Sequence, residues 1–272
     1  MNFGYSISLP SSNPFIDFSN FNSIQFMFSK SNPSPSQLLN IKKLLSKFNY
    51  KIIHASYQIN IASNLIPSNN KLSNLHLINF IHEINLALKL NVDFIIIHLG
   101  KSLDLNPDIA YNNMIKFIIQ LFNSLSSNKK FTNSNLKILF ENPAGQGSEL
   151  CSNIKDFVNF ILLFKNLPFY HKIGVCIDTC HLFQAGTNIN NPKIISNTHS
   201  LLKKISDKIF VIHINNSLHK FNSKLDRHAD INNPNAFIKI INLKKFIKPF
   251  IHSSIFILET NPPFLPQKNL LI

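Results

Sequence analysis

The sequence of 272 residues predicts an α/β protein in which residues 1–272 form one domain, a (β/α)8 barrel. Eight short apolar runs alternate with helical stretches, which is the count and size of such a barrel. The runs between helices are almost continuously apolar, as strands buried on both faces of a parallel sheet are. Four of the six glycines follow shortly after predicted strand ends, where a barrel builds its active-site loops.

The predicted elements follow from these patterns in chain order. The strands are Asn2–Ser8, Ser23–Phe28, Lys51–His54, Val92–His98, Leu136–Glu141, Lys172–Asp178, Lys208–His213 and Ser254–Glu259. Apolar residues at helical spacing predict the helices Gln37–Phe48, Leu75–Leu90, Ile109–Leu125, Asn153–Leu167, Pro192–Ser206 and Ala236–Ile247. Clusters of Asn, Ser and Pro at 30–36, 66–74, 125–135, 187–192 and 231–235 predict loops. An open doubly wound sheet is the alternative, but it would normally carry a phosphate-binding glycine fingerprint, which the sequence lacks.

The charge balance is strongly basic, with 27 Lys and Arg against 13 Asp and Glu and a net charge of +14. This surplus favours a polyanionic partner, nucleic acid above all, or an acidic membrane surface. The alternative is mutational, because Lys, Asn, Ile and Phe abound as in an AT-rich genome and Arg227 is the single arginine. A mean hydropathy near zero with 25 Phe excludes a disordered chain. No apolar run approaches the roughly 18 residues of a membrane span, so we expect no membrane partner.

The cysteines and the amino terminus bear on the compartment. Cys151, Cys176 and Cys180 are odd in number and form no CxxC pair, which argues against a disulfide framework and for buried packing roles. The first residues carry no basic lead or apolar stretch, so they do not resemble a signal peptide. We therefore expect a cytoplasmic or otherwise reducing compartment and no secretion.

Six consecutive predicted strands finish on a residue type that binds divalent metal ions. These residues are His54, His98, Glu141, Asp178, His213 and Glu259. A barrel aims all six into one mouth, and a carboxylate at the end of an apolar run is costly unless a cation pairs with it. A single histidine at a strand end is more often a hydrogen-bonded core residue, and a helix N-terminus or a lysine can satisfy a single carboxylate. Six together predict a metal centre.

Two further clusters add candidate ligands. His181 follows Asp178 by three residues, on the turn that opens the next helix, and Asp226 and His228 point the same way on an extended loop. Five imidazoles and four carboxylates suit two or three ions, and their donor types fit zinc, or manganese as the substitute. Such a pocket in a basic protein predicts phosphate-ester hydrolysis, with Glu141 as the best-placed bridging carboxylate.

The sequence resembles the endonuclease IV family of apurinic/apyrimidinic (AP) endonucleases from its first strand to its last. The segments that carry the resemblance are HASY from 54, HLG from 98, ENPAGQGS from 141, GVCIDTCH from 174, HINN from 213, DRH from 226 and ILETN from 257. The resemblance implies a TIM barrel with three zinc ions, manganese being possible at one or more sites. It also implies cleavage of double-stranded DNA 5′ of abasic sites to leave a 3′-hydroxyl, together with removal of 3′-blocking groups.

Residue roles follow from the resemblance alone. It implies one zinc at His54, His98 and Glu141, a second at Glu141, Asp178, His213 and Glu259, and a third at His181, Asp226 and His228. The residues it implies for catalysis are Glu141, Asp178 and Glu259. Family precedent suggests a monomer with no obligate protein partner.

The implied DNA contacts are Tyr57, Gln58, Lys30 and Arg227. Tyr57 resembles the family's wedge into the abasic gap, and Arg227 lies between two candidate ligands where it could contact a phosphate oxygen. Gln58 replaces a residue that is usually apolar, and the 29–33 loop around Lys30 lacks the family's Arg and aromatic residues. The chain departs from the family at three other places: Ser6 stands for a histidine, Asn216 for a carboxylate, and 229–233 for glycines.

Two other functions remain open from the sequence. Sugar isomerases and epimerases share this barrel with a Glu/Asp/His/Glu metal site, but they give no role to His181, Asp226 and His228 or to the positive charge. A DNA-binding homologue with a decayed pocket would bind DNA without turnover, and the altered loops are compatible with it.

Overall fold

The computed structural model describes residues 1–9, 19–28, 33–68 and 71–272, and its eight long strands form a closed parallel barrel. The strands are β1 (Asn2–Leu9), β2 (Ser23–Phe28), β3 (Tyr50–His54), β4 (Phe94–His98), β5 (Lys137–Glu141), β6 (Ile173–Asp178), β7 (Ile209–His213) and β8 (Ile255–Leu258). Each strand pairs with the next in the chain, and β8 pairs with β1. This confirms the predicted barrel, and every strand boundary lies within two residues of its prediction.

The helices surround the barrel. They are α1 (Pro35–Leu45), α2 (Leu75–Leu90), α3 (Pro107–Ser126), α4 (Lys129–Thr132), α5 (Ile154–Leu162), α6 (Thr179–Gln184), α7 (Pro192–Leu202), α8 (Ile240–Ile247) and α9 (Phe264–Leu271). Asparagine side chains cap five of these helices by accepting backbone N–H groups: Asn74, Asn106, Asn128, Asn153 and Asn191. The abundant asparagines therefore also set helix starts.

Three short helices and two hairpins have no counterpart in the sequence prediction. Helices α4, α6 and α9 have four, six and eight residues, too few to show a clear helical period. A strand pair of Ile66–Ser68 with Lys71–Ser73 lies where a loop is predicted, as does α4. A second pair joins Asn216–Ser217 to His228–Ala229 beside the barrel mouth.

The barrel interior is layered. An apolar layer fills its middle, formed by Ile52, Ile96, Leu139, Cys176, Val211, Ile255 and Ile257. Below it the rings of Phe94 and Phe210 stack with centroids 5.4 Å apart. The layer above, at the carboxyl ends of the strands, is polar and carries the candidate site. None of the helices in the described ranges combines the length and the apolar character that crossing a lipid bilayer requires.

Candidate metal centre

The strand register brings the predicted site residues together. Glu141 on β5 pairs with His98 on β4, and Asp178 on β6 pairs with His213 on β7, each at the last residue of its strand. Glu259 lies one residue beyond the end of β8, where its backbone N–H donates to Asn215. These side chains share the interior face at one end of the barrel, so residues far apart in the chain become neighbours.

His54, His98 and Glu141 form the first group, an almost equilateral triangle of donor atoms. The His54 and His98 Nε2 atoms are 3.2 Å apart, and each lies 3.2 Å from Glu141 Oε2. Tetrahedral zinc with bonds of about 2.0–2.1 Å places its ligand atoms about 3.3–3.4 Å apart. The triangle is therefore close in size to one face of a zinc site.

Glu141, Asp178, His213 and Glu259 form the second group around the His213 ring. His213 Nδ1 lies 2.7 Å from Glu141 Oε1, 3.0 Å from Glu259 Oε2 and 3.8 Å from Asp178 Oδ2. One donor atom from each of the four residues falls within 4.8 Å of all the others. Glu141 uses Oε2 in the first group and Oε1 in the second, so its carboxylate joins the two.

His181, Asp226 and His228 form the third group, at the rim of the barrel. His181 lies on α6, and the other two lie at the short hairpin strand that begins at His228. Asp226 Oδ1 is 3.2 Å from the Nε2 atoms of both His181 and His228. His228 Nε2 is also 3.6 Å from Asp178 Oδ2, so Asp178 lies between this group and the second. Cys180, expected only to pack, brings its sulfur within 4.8 Å of donor atoms of Asp226 and His228.

Contacts with backbone carbonyls orient three of the histidine rings so that Nε2 faces the candidate centre. The Nδ1 atoms of His54 and His181 each lie 2.9 Å from a backbone carbonyl, and His228 Nδ1 lies 3.5 Å from one. Because a carbonyl can only accept, these Nδ1 atoms carry a proton, and a metal ion would bind these rings through Nε2. Within the described residues, the buried Nε2 atoms of His181 and His228 lie 3.2 Å from Asp226 Oδ1 but have no partner in hydrogen-bond geometry. This donor set fits divalent ions.

Burial and nearby charges have opposite effects on the pKa values of Glu141, Asp178 and Glu259. Burial favours the neutral acid, but the charge of His213 and the hydrogen bonds from His213 and His54 outweigh it and hold the pKa of Glu141 well below its usual range. The same balance lowers the pKa of Glu259 to about 2, whereas burial wins at Asp178 and raises its pKa. Burial also lowers the pKa of His98 to about 4, which keeps that ring neutral. Ionised carboxylates in so dry a place favour a bound cation.

The loop after β5 positions Asp226. Gly145 adopts φ +83°, a left-handed conformation that allows the turn. The backbone N–H groups of Gly145 and Gln146 donate to Glu149, and the Gln146 side chain accepts from the backbone N–H of Asp226 at 3.2 Å. The ENPAGQGS motif thus supports a candidate ligand 80 residues away from Gln146.

Buried amides that the sequence reading did not assign to the site hold the candidate ligands. Asn142 accepts from the backbone N–H of Asp178 at 2.7 Å, and Asn215 donates to Asp178 Oδ2 at 2.6 Å. Gln25 on β2 contacts both His213 and Glu259. Asn142 and Asn215 lie one and two residues after candidate ligands, and this proximity in the sequence could have indicated that they belong to the site. For Gln25 the available indication was a single amide in an otherwise apolar strand.

Among the predicted DNA contacts, Tyr57, Gln58 and Arg227 are exposed at the barrel mouth. The Tyr57 ring is 65% exposed, yet it lies against the rings of His54 and His98, with centroids 4.9 and 5.3 Å away. The Arg227 guanidinium donates to the backbone carbonyl of Asp226, and the residue is exposed. Lys30 lies outside the described residues.

The replacements in this chain have structural roles of their own. Asn216 pairs through its amide with both the N–H and the carbonyl of Ile238, at 2.8 Å each, which an acceptor-only carboxylate could not do. Ser6 accepts from the Gln25 amide at 3.2 Å. Ala229 pairs with Asn216 in the short hairpin, and Ile231 is buried, so the segment that lacks the family glycines is ordered by packing.

Comparison with known proteins places this chain in a family. A family model described as a xylose isomerase-like TIM barrel matches residues 19–270. The chain is 32% identical over 225 residues to the probable endonuclease 4 of Sulfurihydrogenibium sp. (strain YO3AOP1), covering 80% of this chain and 74% of the relative. It is also 32% identical over 219 residues to the probable endonuclease 4 of Mesomycoplasma hyopneumoniae (strain 7448), covering 80% and 71%.

Solved structures show the same fold. The endonuclease IV from Thermus thermophilus has a TM-score of 0.68 at 18% identity, covering 99% of this chain and 95% of that one. A D-tagatose 3-epimerase-like protein has a TM-score of 0.72 at 20% identity, covering 100% and 96%. At these identities the likeness concerns the fold alone, and the choice between the two rests on the curated relatives. The chain therefore belongs to the endonuclease IV family of xylose isomerase-like TIM barrels.

Proposed function

We propose that this chain is a metal-dependent DNA-repair endonuclease that hydrolyses the phosphodiester 5′ of abasic sites, leaves a 3′-hydroxyl and also removes 3′-blocking groups. The observation that carries the proposal is the Glu141 carboxylate, which joins the first and second groups through its two oxygens. A carboxylate shared in this way suits paired ions, which is an arrangement common in phosphodiester hydrolysis.

The proposed cofactor is three zinc ions, with manganese as a possible substitute at one or more sites. His54, His98 and Glu141 would hold one ion, Glu141, Asp178, His213 and Glu259 a second, and His181, Asp226 and His228 a third. Ions bound there supply Lewis-acid activation of water and neutralise the negative charge of the phosphate. The nine side chains would hold these ions at the carboxyl ends of the barrel strands.

The candidate site residues have separate proposed roles in catalysis and in DNA binding. Glu141, Asp178 and Glu259 act in catalysis by holding the ions in place around the scissile phosphate. The net charge of +14 attracts the DNA polyanion, which makes binding dependent on salt. Tyr57 and Gln58 face the gap left by the missing base, while Arg227 and Lys30 contact the backbone. We propose a monomer in a reducing, cytoplasmic compartment.

The decisive experiment uses a duplex oligonucleotide with one synthetic abasic site, incubated with the protein with and without a chelator. The proposal expects one cut 5′ of the site, a product that a DNA polymerase can extend, and loss of cutting after chelation. No cut in the metal-loaded protein, or a cut indifferent to chelation, would contradict it. Salt-sensitive binding without turnover would instead identify a homologue that has lost activity.

A sugar epimerase or isomerase is the second candidate, because its fold is shared and the second group alone supplies a Glu/Asp/His/Glu site. The first and third groups favour the endonuclease, since a sugar enzyme with one or two ions leaves His181, Asp226 and His228 without a role. Metal content separates the two: saturation at one ion per chain would favour the epimerase, and saturation at three would favour the endonuclease.

A further inference from the structure

Gln25 is completely buried in the barrel interior, on a strand that supplies none of the nine candidate ligands. The register of β1 and β2 places it opposite Ser6, and its side chain reaches the polar layer above the apolar middle of the barrel. A buried amide in an otherwise apolar strand is costly unless its donors and acceptor are satisfied.

The contacts of Gln25 fix the orientation of its amide. Its nitrogen lies 2.5 Å from Glu259 Oε1 and 3.2 Å from Ser6 Oγ, and its oxygen lies 2.8 Å from His213 Nε2. An ionised carboxylate can only accept, so the amide nitrogen must face Glu259. The amide oxygen then faces the ring of His213, and the contact satisfies both groups only if His213 Nε2 carries a proton.

Because Nε2 of His213 donates to Gln25, Nδ1 is the ring nitrogen that could bind a metal ion. Without a metal ion, His213 Nδ1 lies 2.7 Å from Glu141 Oε1 and carries a proton as well. An ion in the second group would displace that proton and leave the one on Nε2, so Nδ1 would bind the ion where Glu141, Asp178 and Glu259 converge. The same amide engages Glu259 Oε1 and leaves Oε2 facing that group, 3.0 Å from His213 Nδ1. One side chain therefore orients two candidate ligands at once.

We propose that Gln25 is a positioning residue for the second metal site, which selects the Nδ1-binding form of His213 and aims Oε2 of Glu259, with Ser6 supporting its amide. The inference rests on the proposed metal-dependent function and deepens it. Outer groups that orient metal ligands are typically worth about 10–100-fold in metal affinity. Since Ser6 contacts only the amide nitrogen, its removal should have a smaller effect than removal of Gln25.

The first test needs no variant. In zinc-loaded wild-type protein labelled with ¹⁵N-histidine, long-range ¹⁵N–¹H spectra should show His213 with a protonated Nε2 and a metal-bound Nδ1. The reverse pattern, with zinc on Nε2, would overturn the inference. If the wild-type protein binds no zinc at all, the proposed metal centre fails as well, so the two failures are distinguishable.

The second test measures zinc affinity by competition with a chromophoric chelator, without DNA. Gln25→Leu should weaken one site about 10–100-fold and leave the other sites unchanged. Gln25→Glu keeps an acceptor for His213, so it should retain the Nε2 proton that Gln25→Leu loses. The matched control is Asn242→Leu, which removes a buried amide on the outer helix α8 that donates to Asn190, and it should keep full affinity. Unchanged affinity in Gln25→Leu, or an equal loss in Asn242→Leu, would overturn the inference.

Discussion

The carboxylate of Asp178 caps helix α6 by accepting a hydrogen bond from the backbone N–H of His181 at 2.8 Å. This bond uses Oδ1, while Oδ2 faces Asn215 and His228. The same side chain therefore starts a helix and faces the candidate metal centre, and the helix in turn positions His181. Substitutions that separate the two roles are possible because asparagine caps a helix about as well as aspartate.

We expect Asp178→Asn to keep the fold and lose zinc, because the amide retains the cap but not the charge. Asp178→Ala should lose zinc and also about 1 kcal/mol of stability through the missing cap. Urea unfolding in the presence of a chelator, together with zinc analysis, measures both effects. Equal stability of the two variants would show that the cap contributes nothing.

Glu141→Gln should abolish cleavage at an abasic site while DNA affinity persists, because the change removes a shared ligand and not the basic surface. Nicking assays and fluorescence anisotropy on the same oligonucleotide measure the two properties. Asp207→Asn, which changes an exposed carboxylate before β7 at the opposite end of the barrel, is the charge-matched control. Cleavage at the wild-type rate by Glu141→Gln would refute the bridging role.

If the proposed zinc sites form, zinc should stabilise the native protein, because the carboxylates that would bind it are buried beside one another. At a free concentration 100 times the Kd, one site contributes about 2.7 kcal/mol, which corresponds to a rise in Tm of about 5 °C or more. Calorimetry of chelated and zinc-loaded protein provides the measurement, with magnesium as the comparison ion. Identical melting temperatures with and without zinc would exclude a structured zinc site.

Metal-free protein should lose stability in mildly alkaline solution. Burial by itself lowers the pKa of His228, but the charge of Asp178 and the contact with Asp226 outweigh it and raise the pKa from 6.5 to about 9. A raised folded pKa gives stability that is complete below pH 6.5 and is lost as pH rises through about 9. The free energy of unfolding of chelated protein should fall across that window, and less steeply in His228→Asn. A variant with the wild-type slope would contradict this assignment.

The three cysteines should be inert in the native protein. Burial raises the pKa of Cys151 and of Cys176 to about 12, and it also raises the pKa of Cys180. Since the thiolate is the reactive form, iodoacetamide at pH 8 should modify none of them rapidly. Mass spectrometry should detect three modified thiols only after unfolding. Rapid labelling of Cys151, the least buried of the three, would show that its loop opens readily.

The sequence was most informative where function depends on the last residue of a strand. Runs such as KILFE mark both the strand and its terminal carboxylate, so the convergence of Glu141 with His98 follows from the barrel alone. The sequence does not predict which oxygen of Glu141 faces which histidine ring, because that depends on the positions of side chains across the barrel. The membership of the third group could not be predicted fully from the sequence. Besides the three residues predicted for it, Asp178 and Cys180 also bring donor atoms close to it.

Gln25 shows why the rest escaped prediction. Its proposed role rests on contacts with residues 188 and 234 positions away, and neither separation leaves a periodic signal in the chain. The short helix α9 escaped for a different reason, because eight residues with a proline at the third position give no clear apolar stripe.

The apolar middle layer of the barrel closes the candidate centre on the side that faces the barrel interior. Ile96, Leu139 and Val211 are fully buried beneath it, so among the described residues the route for solutes runs through the mouth. A duplex seated there would cover the same opening that ions and water use. Under the proposed function, a chelator should therefore strip metal more slowly from the DNA complex than from the free protein.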